Sequence, residues 1–287
     1  MRRYSLALAA VALAVAGCSR PEVAVTHDFL SPADQALVAA GATRNPLIAV
    51  IDGGIAADHR SLQGKLARRW RAEGLDAAVS AHATQVAGII AGTPHESYPG
   101  GLARGARILD VKALDERGAG KPDDVASAFR WAIAQDADLI VASFGIERDH
   151  PAIRDAVTAA ISAGVTVVAS TGNGFGDFDF FPAGYDGVVG ITSYDRNGER
   201  SALANSKGAD FAAPGEDILA PTTVGGYATV SGTSIAAATA AGLIAACWDI
   251  EAVHELTTES GRSWGGRSIG FASGKVPLLA CPTSEVE

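Results

Sequence analysis

Four short segments spread along the 287-residue chain each carry a side chain that acyl transfer needs: Asp52 in IAVIDGG, His82 in HATQVAGIIAG, Asn173 in VASTGNG and Ser234 in SGTSIAAA. A serine hydroxyl is a weak nucleophile. It needs an imidazole within hydrogen-bond reach to take its proton and return it to the leaving amine. His82 is one of six histidines and opens an amphipathic segment, with Thr84, Val86, Ala87 and Ile90 behind it. Asp52 directly follows an apolar run, with Gly53 and Gly54 allowing a sharp exit. It suits the carboxylate that orients an imidazole. Asn173, in a Gly-Asn-Gly turn, and the Ser234 backbone N–H suit donors to a developing oxyanion. Singly, each residue has an ordinary reading as a cap, an ion-pair member or a turn former. All four together, at strand ends and at a helix start, favour an active site on the rim of an open α/β sheet.

The elements that must position them are legible from periodicity. LIAVI at 47–51, ILDVKAL at 108–114, LIVASF at 139–144 and VTVVAS at 165–170 are unbroken apolar runs, as in strands buried on both faces. Helical patterns lie between them at 82–91, 122–135 and 151–163, with Asp123 or Asp124, and Asp149, placed to serve the helix starts. Strands alternating with helices predict an α/β fold: a mainly parallel central sheet between two helical layers, with right-handed crossovers. Shorter runs between Gly187 and Val230 predict short strands and turns. The Ala-rich stretch from Thr233 to about Cys247 predicts a buried helix with Ser234 at its N-terminus, where free N–H groups favour an anion.

Charge and cysteines bound the setting. The net charge is −9, and no cluster of Lys and Arg follows the first residues, which excludes nucleic acid as a partner class. Arg2 and Arg3 precede an apolar run from Leu6 to Ala16, too short to span a bilayer and suited to a secretory signal. That run ends in Val15-Ala16-Gly17-Cys18, which resembles the lipobox of bacterial lipoproteins. The resemblance implies a signal peptide over 1–17 and lipidation of Cys18. A tether over 18–45, with a helical stretch at Pro32–Ala40, would follow, and Ser19 implies the periplasmic face of the outer membrane. Cys247 and Cys281 then remain, as a disulfide in an exported protein or as two buried thiols. No cofactor or metal is expected: the loop Thr93 to Gly101 offers a calcium ion chiefly Glu96.

The order Asp52, His82, Asn173, Ser234, with DGG, HATQVAG, STGNG and GTSIAAA around them, resembles the subtilisin-like serine peptidases, over about Pro46 to Cys247. Ala103 to Ile108, Ser143-Phe144-Gly145, Phe181-Pro182-Ala183 and Ala212-Ala213-Pro214-Gly215 are similar to further family segments. The resemblance implies a peptidase domain over 46–250 with a C-terminal extension over 251–287 packed on it. It also implies a serine endopeptidase acting on polypeptides, with substrate bound as an added strand along Ser143, Phe144 and Gly145. Gly53 stands where the family usually has Thr or Ser, Ala83 where it has Gly, and Ile235 and Ala238 where it has Met and Pro. These departures predict a lower rate, and keep open a peptide-binding lipoprotein that no longer cleaves.

Overall fold

The structure, a computed structural model, describes residues 27–30, 32–40, 45–95, 97–174, 178–247, 268–271, 274–277 and 279. Seven parallel strands form the central sheet: β1 (Leu47–Asp52), β2 (Leu66–Arg71), β3 (Arg107–Lys112), β4 (Leu139–Ala142), β5 (Thr166–Ser170), β6 (Val189–Tyr194) and β7 (Phe211–Pro214). They lie in the order β2-β3-β1-β4-β5-β6-β7. Between Ile48 and Ile51 β1 is wholly buried, as a strand covered on both faces must be.

The helices are α1 (Pro32–Ala40), α2 (Ala81–Ala91), α3 (Pro122–Ala134), α4 (Pro151–Ser162) and α5 (Thr233–Ala246). One face of the sheet packs its Ile48, Val50 and Ile108 against α2 and α5; the other packs Ala49, Ile51, Leu109 and Val111 against α3 and α4. The three-layer α/β architecture expected from the sequence is therefore present. Two antiparallel ribbons complete it, β8 (Ile218–Pro221) with β9 (Tyr227–Val230) and β10 (Ser268–Phe271) with β11 (Gly274–Pro277).

Three differences from the sequence reading are informative. Strand β2, LARRWR, was not expected because charges interrupt it; as an edge strand it needs only one covered face, and its arginines guard the edge. Helices α3 and α4 start at Pro122 and Pro151 without a side-chain cap, so the aspartates do not cap them. Asp149 instead accepts from the Tyr185 hydroxyl at 2.9 Å and pairs with Arg154. Part of the expected tether is docked. Leu30 and Val38 are buried in the core on the α5 side, and His27 Nε2 lies 3.0 Å from the Gly100 carbonyl. Toward the other end, Leu279 is buried and donates its N–H to Ala212 of β7 at 2.8 Å, which attaches this part of the extension to the domain.

Candidate active site

Sheet order reverses at β1, with β3 and β2 on one side and β4 to β7 on the other. Such a reversal leaves a crevice beyond the strand ends. A cleft of about 270 Å³ opens there, with Asp52, Ser80, His82, Leu114, Ser143 and Phe144 in its wall.

Asp52 ends β1 and is buried, whereas the His82 side chain, at the start of α2, is 39% exposed. His82 Nδ1 lies 2.6 Å from Asp52 Oδ2, and Gly53 N–H donates to Oδ1 at 2.6 Å. The carboxylate thereby holds the proton on Nδ1 and leaves the Nε2 lone pair available as a base. Burial is the largest influence on the imidazole and lowers its pKa, but the hydrogen bond and the charge of Asp52 together outweigh it. The net direction is upward.

Ser80 aims the helix that carries this base. Its Oγ accepts from Ala83 N–H at 3.2 Å, capping α2, and its own N–H donates to the Gly54 carbonyl at 2.8 Å. The start of α2 is thus tied to the turn that leaves Asp52. Gly54 takes φ +94° in that turn, a conformation that favours glycine. At Gly53 a Cβ would stand 2.7 Å from Ser80 Cβ and 2.8 Å from the Asp115 carbonyl oxygen. A serine or threonine side chain at this position has no room, because Ser80 fills that space. Ala83 is fully buried, and its added methyl leaves the 2.6 Å contact between His82 and Asp52 in place.

Two residues that the sequence reading missed hold the other side of the turn. Asp110 on β3 pairs in register with both Val50 of β1 and Arg69 of β2. Arg69 Nε donates to Asp110 Oδ2 at 2.6 Å, the same oxygen accepts from Ile55 N–H at 3.3 Å, and Arg69 Nη2 donates to the Ile55 carbonyl at 3.0 Å. Burial, the leading influence, pushes the Asp110 carboxyl above its ordinary range despite Arg69. The signal for this pair was weak: a lone Asp inside an apolar run and an Arg in a charged one.

Every residue of α5 except Ser234 is buried, so the helix presents one hydroxyl at its mouth. Gly232 precedes it with φ 147°, an orientation that side chains disfavour. Asn173 Oδ1 accepts from Thr233 N–H at 3.0 Å and from Thr233 Oγ1 at 3.1 Å. A backbone N–H can only donate, so the amide oxygen must face Thr233 and Nδ2 is left to donate elsewhere. Asn173 Nδ2 and Ser234 Oγ lie 3.3 and 3.6 Å from one point, the place a Cβ on Gly232 would occupy. The amide nitrogen and the hydroxyl therefore flank the same small space beside Gly232. Ser143 lines the His82 cleft and donates its hydroxyl to the Ser234 carbonyl at 3.3 Å, which joins the two halves of the site.

The sequence pattern of the Subtilase family matches residues 43–264. The chain belongs to the subtilase family. This subtilase is 34% identical over 216 residues to an intracellular serine protease of Paenibacillus polymyxa, covering 70% of the chain and 66% of that protein. It is 33% identical over 201 residues to thermitase of Thermoactinomyces vulgaris, covering 68% and 72%. It is 36% identical over 207 residues to the minor extracellular protease Epr of Bacillus subtilis (strain 168), covering 70% and 32%. The matched span thus amounts to two thirds or less of the Paenibacillus protein and of Epr. A solved structure of a cold adapted subtilisin-like serine proteinase superposes with a TM-score of 0.71 at 29% identity, over 83% of this chain and 89% of that one.

Among the described residues of this subtilase, no three His, Cys, Asp or Glu side chains converge to hold a metal ion. Tyr98 steadies the loop considered for calcium, donating to the Gly88 carbonyl at 2.7 Å and stacking on Tyr227; Glu96 lies outside the described residues. Cys247 is disulfide-bonded, while Cys281, its expected partner, and Cys18 lie outside the described residues. No described helix is long and apolar enough to cross a membrane.

Proposed function

We propose that this chain is a serine endopeptidase working through an acyl-enzyme. The observation that carries the reading is the 2.6 Å contact of His82 Nδ1 with buried Asp52, facing a cleft whose wall is bonded to the helix start that presents Ser234. Ser234 Oγ attacks the substrate carbonyl while His82 Nε2 takes its proton. Charge develops on the carbonyl oxygen, which accepts from Asn173 Nδ2 and the Ser234 backbone N–H at the positive end of α5. Asp52 stabilises the imidazolium, which then protonates the leaving amine. Water, deprotonated by the same imidazole, releases the acyl group and regenerates Ser234. The substrate is an extended polypeptide paired along Ser143, Phe144 and Gly145, so main-chain hydrogen bonds supply much of the recognition.

Export and lipid anchoring at Cys18 belong to the same proposal. The Arg2-Arg3 leader, the Val15-to-Cys18 sequence and a disulfide at Cys247 support an oxidising, extracytoplasmic address, at the periplasmic face of the outer membrane. Metabolic labelling with palmitate should mark the wild type and spare Cys18→Ala; equal labelling of both would remove the anchor.

Activity is tested by a fluorophosphonate probe and casein cleavage on the wild type, Ser234→Ala and His82→Ala. Labelling and cleavage should vanish in both variants. A folded wild type that takes no label would leave a peptide-binding protein instead.

A further inference from the structure

Catalysis at Ser234 sets where the side chain preceding the scissile bond must go. Its carbonyl lies between Ser234 Oγ and Asn173 Nδ2, and its backbone runs beside Ser143 to Gly145. The space beside that carbonyl is bounded by the segments that leave the neighbouring parallel strands β4 and β5, residues 143–145 and 171–173.

The ring of Phe180 lies between those two segments. Its Cδ1 is 3.0 Å from where a Cβ on Gly145 would stand, and its Cδ2 is 2.8 Å from the corresponding place on Gly172. One edge of the ring faces each glycine, so the ring bridges the gap and neither glycine has room for a side chain. The backbone that carries it is pinned. Ile146 and Phe181 exchange two N–H to carbonyl bonds of 2.9 Å, and Gly184 N–H donates to the Phe180 carbonyl at 2.9 Å. Upstream, Asn205 Nδ2 donates to the Phe178 carbonyl at 2.6 Å. Backbone bonded on both sides of residue 180 limits how far the ring it carries can move. Phe180 also stays half-buried rather than sealed in the core, which leaves part of it accessible.

We propose that Phe180 is a specificity-determining residue that closes the pocket for the side chain preceding the scissile bond, confining cleavage to positions after glycine, alanine and serine. The proposal rests on the peptidase reading above. A larger side chain has to displace the ring and the hydrogen-bonded segments that carry it, whereas a methyl or a hydrogen asks for the least displacement.

The test uses succinyl-Ala-Ala-Pro-Xaa p-nitroanilides with Xaa varied among Gly, Ala, Leu and Phe. For the wild type, kcat/KM with Ala should exceed that with Phe by about 100-fold or more, and Phe180→Ala should raise the Phe-to-Ala ratio by about 100-fold. Phe180→Leu, which retains an apolar filler, keeps the test available if the alanine variant does not fold, and should raise the ratio by about tenfold. Wild-type preference for Phe or Leu, or a ratio unmoved in a folded variant, would overturn the proposal. Fluorophosphonate labelling of the same wild-type sample separates this failure from that of the peptidase reading. Should no label be taken, calorimetric binding of succinyl-Ala-Ala-Pro-Ala and succinyl-Ala-Ala-Pro-Phe acids still reads the pocket. Tighter binding of the Ala peptide supports the closed wall, and equal binding or none overturns it.

Discussion

Arg69 and Asp110, 41 residues apart on neighbouring strands, meet at 2.6 Å and together grip both sides of Ile55, its N–H from Asp110 and its carbonyl from Arg69. Ile55 comes directly after the Gly53-Gly54 turn, the most pliable stretch next to Asp52. Glycines offer no side chain to lock that turn, so the lock has to come from its surroundings: Ser80 at the start of α2 on one side and this pair on the neighbouring strands on the other.

Removing the pair should therefore misplace Asp52 as well as loosen the fold. Arg69→Met should lower kcat about tenfold with KM little changed, because small displacements at a reacting group are costly. Stability should fall by about 1–3 kcal/mol, less than for a fully buried pair because Arg69 is half exposed. Asp110→Asn, which retains an acceptor for Ile55 N–H, should lose less of both. Steady-state kinetics and thermal melting on the same samples decide: a lower Tm with unchanged kcat would mean that the pair serves the fold alone.

Proton transfer at His82 sets the pH dependence. Its pKa is raised, so kcat/KM should climb through a midpoint above the ordinary histidine value of about 6.5. Asp52→Asn should move that midpoint down and cost about 10³–10⁴ in kcat. The sign for stability comes from the same shift. The contribution of the Asp52–His82 contact is fully present below the unfolded-state pKa and is lost as pH rises through the higher folded-state value. Rate profiles and melts across this range check both, and a wild-type midpoint below that of Asp52→Asn would contradict the assignment.

Asn173→Ala should reduce kcat by about 10²–10³ while leaving KM close to the wild-type value, because the oxyanion exists only along the reaction. Some loss of stability should accompany it, since Thr233 N–H and Oγ1 both lose their acceptor. Full separation of kcat from KM, measured at several substrate concentrations, would distinguish this from damage to substrate binding.

Placing a hydroxyl side chain at position 53 should be harmful here. Gly53→Ser places a Cβ against Ser80 and the Asp115 carbonyl oxygen, and overpacking of this kind costs about 1–3 kcal/mol. Pairing it with Ser80→Gly, which vacates the space, should recover part of the loss. A single variant at least as stable and active as the wild type, by melting and casein cleavage, would refute the steric account.

Much of the site was legible in the chain by itself because backbone demands are local. An unbroken apolar run such as LIAVI specifies a strand covered on both faces, and the residues just past its end, Asp52 and two glycines, must emerge at the rim. An alanine-rich stretch without a polar face specifies a buried helix, so Ser234, the one residue of it that is not buried, stands out. Tertiary structure alone decided the rest, because those features are contacts between residues whose own segments carry no signal. Asp110 reads as a blemish until β2 brings Arg69 beside it. Leu30 and Val38 read as part of a tether until the surface beside α5 takes them in. Phe180 acquires its neighbours only when β4 and β5 bring Gly145 and Gly172 to either side of its ring. Periodicity reports which face a residue buries, but packing partners are set by which strands become neighbours, and that order is a property of the whole fold.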